Sequence, residues 1–190
     1  MAGRGKQRLR IIGGRWRGRR LEIADLPGLR PTADRNRETL FNWLQPVLPG
    51  SRCLDLFAGS GALGLEAASR GAERVVLVEQ AVPAVRQLRE AIRLLQADNV
   101  SVWPGDAREF LRAQSQAFDI IFLDPPFSSG LLTSICEQLE QAGWMAADAR
   151  IYLEHAATET PPPLPENWQL LREKTAGQVR YALYQRVVRP

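Results

Sequence analysis

The sequence predicts an α/β fold: a mainly parallel sheet with helices on both faces and an antiparallel hairpin at its C-terminal edge. Three observations carry this. Short apolar runs alternate with amphipathic stretches between residues 53 and 154, the pattern of β-α crossovers in one sheet. A glycine-rich turn, Gly59-Ser60-Gly61-Ala62-Leu63-Gly64, follows the first of those runs, where a strand hands over to a helix. Two strand-like segments, 168–173 and 180–187, then flank Ala176-Gly177 after a proline-rich loop at 160–165, as an antiparallel pair does.

The elements follow in order. Leu9, Ile11, Leu21 and Ile23 alternate with polar residues around Gly13-Gly14 and Gly18, a β-hairpin pattern. In the helix predicted over 33–45, Leu40, Phe41 and Leu44 share one face, and Pro46 ends it. Strands are predicted at 53–57, 74–79, 100–103, 120–123 and 150–154. Helices are predicted at 62–70, 84–96, 107–113 and 131–142. No internal repeat or long linker interrupts them.

The chain of 190 residues, 45% hydrophobic, can bury one full core with a small appendage. No run approaches the length of a membrane span, and the basic N-terminus lacks the apolar stretch of a signal peptide. Cys53 and Cys136 match neither a metal site nor a disulfide framework, so both read as reduced core residues of a cytoplasmic protein. Charge is uneven. Residues 1–45 carry a net +7 and the rest a net −3, and the first 20 hold eight basic side chains and no acid. Arg4, Lys6, Arg8, Arg10, Arg15, Arg17, Arg19 and Arg20 therefore read as a polyanion-binding arm over residues 1–30. A solvated basic tail is the plainer reading, which the hairpin pattern opposes.

Four carboxylates close successive predicted strands or the turns just after them: Asp55, Glu79, Asp106 and Asp124. In open parallel sheets the ligand crevice lies outside the carboxyl ends of the strands. Gly59, Gly61 and Gly64 form G-x-G-x-x-G, letting a ligand approach the backbone closely. Glu79, 18 residues beyond Gly61, is placed to grip ribose hydroxyls. Asp106 in Gly105-Asp106-Ala107 can accept from an adenine amine. Helix capping accounts for either acid taken singly. Asp124-Pro125-Pro126-Phe127 ends the last of these runs with a carboxylate, imide carbonyls and an aromatic ring on a rigid elbow. Such a row of acceptors beside a stacking surface suits a nucleobase with an exocyclic amine. The same four residues would also serve as a strand stop, a helix cap and a core aromatic.

These motifs, with Arg10–Gly18 and Arg30–Leu44, resemble the RsmD family, 16S ribosomal RNA guanine-N2 methyltransferases among the class I S-adenosylmethionine-dependent methyltransferases. The likeness runs essentially end to end. It implies a Rossmann-like, seven-stranded sheet in a domain over residues 31–190, S-adenosylmethionine as cofactor, and a monomer acting on 16S rRNA in a small-subunit assembly particle. By the same resemblance Asp55, Phe57, Gly59, Ser60, Gly61, Glu79, Asp106 and Ala107 hold the cofactor, and Asp124, Pro125, Pro126 and Phe127 form the catalytic clamp. No metal is expected. Arg35 and Arg37 are open between a phosphate or cofactor contact and plain helix-surface charge, and His155 reads as structural. Three rivals stand beside this reading: a DNA adenine-N6 methyltransferase, a nicotinamide-dependent oxidoreductase, and a non-catalytic RNA-binding factor. The short intervals between strands leave little room for the target-recognition insertion of the first.

Overall fold

In the computed structural model, which describes residues 8–23, 34–113, 115–126 and 130–188, the β-α alternation resolves into one seven-stranded sheet. A two-stranded hairpin comes first, with β1 (Arg8–Arg10) antiparallel to β2 (Arg20–Glu22) and Leu9 opposite Leu21. The main sheet contains β3 (Arg52–Asp55), β4 (Arg74–Glu79), β5 (Val100–Pro104), β6 (Phe118–Leu123), β7 (Met145–Ala156), β8 (Trp168–Ala176) and β9 (Val179–Arg186). Their order is β5-β4-β3-β6-β7-β9-β8. The first five in that order are parallel, and β9 runs antiparallel to both β7 and β8. The order reverses at β3, which lies between β4 and β6, and the crevice for a ligand opens beside that point.

Two cores form because consecutive strand residues face opposite ways. Ile120 and Phe122 of β6 pack on one side with Leu40, Phe41, Leu65 and Leu88. Ile121 and Leu123 pack on the other with Phe110, Ile135, Leu139 and Trp144. The first side is covered by α1 (Asp34–Leu44), α2 (Ala62–Ser69) and α3 (Val82–Leu95), the second by α4 (Ala107–Phe110) and α5 (Leu132–Gln141). The C-terminal turn at Gly177 has φ +61, a left-handed conformation that glycine adopts without strain. Cys53 and Cys136 are free and buried, and burial pushes both thiols up to about 12. They are inert core residues. Among the described residues no helix is long and apolar enough to cross a membrane.

The hairpin shares the first core. Leu9, Ile11, Leu21 and Ile23 are all buried there, and its turn is a single 3-10 helix, Gly14–Trp16. Glu66 of α2, fully buried, accepts from the Ile12 and Gly13 amides at 2.9 and 2.8 Å. Ser69 Oγ donates to the Gly13 carbonyl at 2.6 Å and accepts from the Trp16 amide at 3.0 Å. A Cβ on Gly14, whose φ is +76, would lie 1.9 Å from the Ser69 carbonyl oxygen. Only glycine fits there.

Several boundaries differ from expectation, and β3 ends at Asp55 rather than 57, β6 begins at Phe118 rather than 120 and β8 runs to Ala176 rather than 173. β7 begins at Met145 rather than 150, because its pairing with β6 slips between Phe118 and Ile120. Its first half, with Ala147 and Asp148 exposed, carries no apolar run to betray a strand. α4 is one turn, closed at Phe110 rather than 113.

Candidate active site

The four carboxylates lie along the carboxyl edge of the sheet, each in a different setting. The glycine turn is shaped by contacts that exclude side chains. Gly59 and Gly61 have φ of +52 and +78, and a Cβ on Gly61 would lie 2.6 Å from Leu88 Cδ2. On Gly64 it would lie 2.2 Å from Leu77 Cδ2, so the third glycine sets how closely α2 packs on β4.

Asp55 sits beneath this turn at 1% exposure, with Oδ2 accepting from the Gly64 amide at 3.0 Å. Its Oδ1 has no hydrogen-bond partner among the described residues. Burial pushes the carboxyl up to about 7, the bond from Gly64 opposes that, and the charge of Glu79 adds to it. Glu79, half-buried at the end of β4, spans the turn: Oε2 accepts from the Gly59 amide at 2.8 Å and Oε1 from the Ala81 amide at 2.7 Å. Each oxygen keeps a further lone pair for a ligand. Asp106 caps α4 by accepting from the Arg108 amide at 2.8 Å, and its ion pair with Arg108 Nε measures 3.0 Å. The side-chain bond from Arg108 holds this carboxyl below its usual range. Capping, the plainer reading of Asp106, is thus realised, yet its side chain stays 26% exposed. Ala107 is buried beside it, and Phe57 and Ser60 are partly exposed on the turn.

Asp124, Pro125 and Pro126 follow β6 directly; Phe127 lies outside the described residues. Pro125 and Pro126 line a cavity of about 420 Å³ together with Thr133, Glu154, His155 and Thr160. The β6–β7 register pairs Leu123 with Leu153, so Glu154 occupies the position next to Asp124 on the neighbouring strand. Tyr152 Oη donates to Glu154 Oε2 at 2.7 Å. Burial, then the charges of Glu154 and Asp124, push the Tyr152 phenol well above its ordinary range. Burial likewise pushes the Glu154 carboxyl up, against the bond from Tyr152. Glu154 escaped the sequence reading because it passes as the polar end of a strand; its place opposite Asp124 needed the register.

The basic arm is divided. Arg8, Arg10, Arg15, Arg17, Arg19 and Arg20 are exposed, while Arg4 and Lys6 lie outside the described residues. Arg15 donates to Asn99 Oδ1 at 2.6 Å and lies 4.1 Å over the Trp16 ring, and Arg19 donates to the Leu94 carbonyl at 3.1 Å. Leu94 lies in the last turn of α3 and Asn99 precedes β5, so the hairpin turn sits at the amino ends of the strands, opposite Asp124. Arg37 is neither a phosphate contact nor a surface charge. At 1% exposure it donates to the Arg10 carbonyl at 2.9 Å and Asp34 at 2.7 Å, with Glu66 at 3.5 Å. Arg35 is exposed. His155, 5% exposed, donates from Nδ1 to the Ala156 carbonyl at 2.9 Å. Among the described residues no cluster of His, Cys, Asp or Glu could hold a metal.

Known proteins resemble the chain over nearly its whole length. The family model for Conserved hypothetical protein 95 matches residues 9–185. Ribosomal RNA small subunit methyltransferase D of Escherichia coli strain K12 is 51% identical over 182 residues, spanning 96% of this chain and 92% of that protein. The protein of that name from Haemophilus influenzae is 46% identical over 186 residues, covering 95% of each. The solved structure of yhhF from Escherichia coli aligns with a TM-score of 0.90 at 48% identity, covering 95% of this chain and 99% of that one.

Proposed function

The chain belongs to the Conserved hypothetical protein 95 family, that of ribosomal RNA small subunit methyltransferase D, and from that premise we propose that it methylates the exocyclic N2 amine of one guanine in 16S ribosomal RNA, using S-adenosylmethionine, on a small-subunit assembly particle. One observation carries the reading. Pro125 and Pro126, directly after Asp124, line a cavity large enough for a base, at the carboxyl edge that also bears Glu79 and the glycine turn.

The residues present fit the cofactor. Glu79 is held by two backbone amides with lone pairs to spare for ribose hydroxyls. Gly59 and Gly61 present backbone without side chains, and the unpartnered Oδ1 of Asp55 adds negative potential beneath a cationic ligand. When bound, S-adenosylmethionine supplies an electrophilic methyl group, its sulfur keeping the electron pair of the broken S–C bond.

The guanine amine is a poor nucleophile because its lone pair is delocalised into the ring. Hydrogen bonds from its N–H groups to the Asp124 carboxylate and the Pro125 carbonyl draw the nitrogen toward a tetrahedral form and aim the lone pair. Nitrogen then gains the methyl carbon and a positive charge, which the Asp124 carboxylate stabilises. The excess N–H proton leaves by that carboxylate to water. Orientation and preorganised charge supply most of the acceleration. Phe127 stacks on a base rotated out of its helix or loop. The exposed hairpin arginines grip phosphate, which positions RNA without reading its sequence.

The test is transfer of labelled methyl to assembly-stage small subunits, with the modified nucleotide mapped. Asp124→Ala should lower turnover about a hundred- to a thousandfold, on the scale of losing one preorganised electrostatic group, while calorimetry shows cofactor binding retained. Normal turnover in that variant, or label on an adenine, would refute the reading.

A further inference from the structure

We propose that Glu154 is the residue that selects guanine, by accepting the N1–H of the target base through Oε1 while Asp124 engages the neighbouring N2 amine. This rests on the reading of the site as a guanine-N2 methyltransferase and adds to it the group that recognises the base.

Four observations carry the assignment. Glu154 is 6% exposed, yet it lines the cavity beside Pro125 and Pro126. Its Oε2 is engaged by Tyr152 Oη at 2.7 Å, and a carboxylate keeps acceptor capacity on its second oxygen. The parallel register sets Glu154, which lines the cavity, next to Asp124 at the adjacent strand end. His155, which lines the same cavity, keeps its Nδ1–H on the Ala156 carbonyl. The Glu154 carboxylate is thus a buried acceptor in the wall beside the elbow.

A buried acceptor placed beside Asp124 discriminates among bases by their edges. Guanine presents two adjacent donors, N1–H and the N2 amine, spaced as neighbours on one ring edge. Adenine presents its amine beside N1, an acceptor, and an acceptor against a buried carboxylate leaves both unsatisfied. Sites built to hydrogen-bond one group reject analogues lacking it far more strongly than apolar pockets do. Tyr152 is the positioning residue. By occupying Oε2 it fixes which oxygen faces the base.

The experiment places guanine or 2-aminopurine at the mapped target position of a reconstituted small-subunit particle. 2-Aminopurine keeps the reacting 2-amine but has an acceptor at N1. The wild-type protein should prefer guanine by about a hundredfold or more in kcat/KM. In Glu154→Gln, Tyr152 still donates to the side-chain oxygen, so an NH2 group faces the base. That variant should lose guanine activity at least about tenfold and narrow or invert the preference, with unchanged calorimetric binding of S-adenosylmethionine. Tyr152→Phe, which frees the carboxylate without removing it, should raise KM for guanine particles and keep the preference. Glu154→Gln with the wild-type preference would overturn the proposal, as would equal wild-type use of the two bases. A wild-type protein that leaves guanine N2 unmethylated would instead refute the underlying reading, and the outcomes are distinguishable.

Discussion

Asp55→Asn should remove a pH dependence of stability that the wild type carries across neutrality. The Asp55 carboxyl lies at 1% exposure with one oxygen unpartnered, and burial pushes it from an ordinary 3.8 up to about 7. A carboxyl with a raised folded-state value holds its proton more tightly folded than unfolded. The folded state therefore binds more protons between 3.8 and about 7, and stability falls as pH rises through that window and levels above it. Each pH unit separating the folded and unfolded values is worth about 1.4 kcal/mol, so the whole loss is about 4 kcal/mol, of which about 2–3 falls between pH 5 and 8. The asparagine carbonyl keeps the bond from the Gly64 amide but cannot ionise, while its amide group goes unpaired at a cost of about 1–3 kcal/mol. Wild type should thus be the more stable at pH 5, and the variant should draw level or pass it by pH 8. Urea unfolding of both proteins at half-unit steps from pH 5 to 9 reads the difference directly, and subtraction cancels every other titrating group. A wild-type-minus-variant difference that stays flat across that range would refute the reasoning. The coupling also reaches function, since a cation bound over the turn favours ionised Asp55. Binding of S-adenosylmethionine near pH 6.5 should therefore release a proton in wild type and not in Asp55→Asn, seen as a buffer-dependent binding enthalpy.

Two further predictions concern the hairpin. Glu66→Ala removes the acceptor of the Ile12 and Gly13 amides and the partner of Arg70 and Arg37. It should cost about 3–5 kcal/mol, the penalty for stripping one partner from a buried pair, with hydrogen exchange accelerated first at residues 9–23; a loss under about 1 kcal/mol would show the hairpin held by apolar packing alone. Replacing Arg8, Arg17 and Arg20, exposed and on the hairpin, by alanine should weaken RNA binding and make log K less steep in log salt by up to about one for each phosphate no longer gripped. An unchanged salt slope would remove the hairpin from the RNA path.

What the sequence disclosed follows from the range of the interactions involved. Strand and helix alternation, the glycine turn and the acidic strand ends depend on neighbours within a few residues, so the sheet, its antiparallel edge and the placing of those acids along one edge were legible. The pairings that needed tertiary register were not. Arg37 looked like a surface or phosphate-facing charge because helix periodicity says only that it lies near Leu40 and Phe41; its burial against Glu66, 29 positions away, appears once α1 crosses α2. Glu66 itself reads as the polar residue of a short helix, although all of α2 is buried because the hairpin covers the side that would otherwise meet water. Glu154 belongs to the same class. A carboxylate closing an apolar strand is locally ordinary, and only the pairing of Leu123 with Leu153 sets it beside Asp124. The hairpin extends this argument to the RNA. With its turn at the amino ends of the strands and the elbow at the carboxyl ends, one RNA touching both must run the depth of the sheet, the 6 residues of β4 or β6, about 20 Å at the rise of a strand. Phosphate contacts at the turn therefore cannot come from the target nucleotide itself. On the proposed reading they hold a flanking segment, and recognition of the base falls to the cavity and not to the arm.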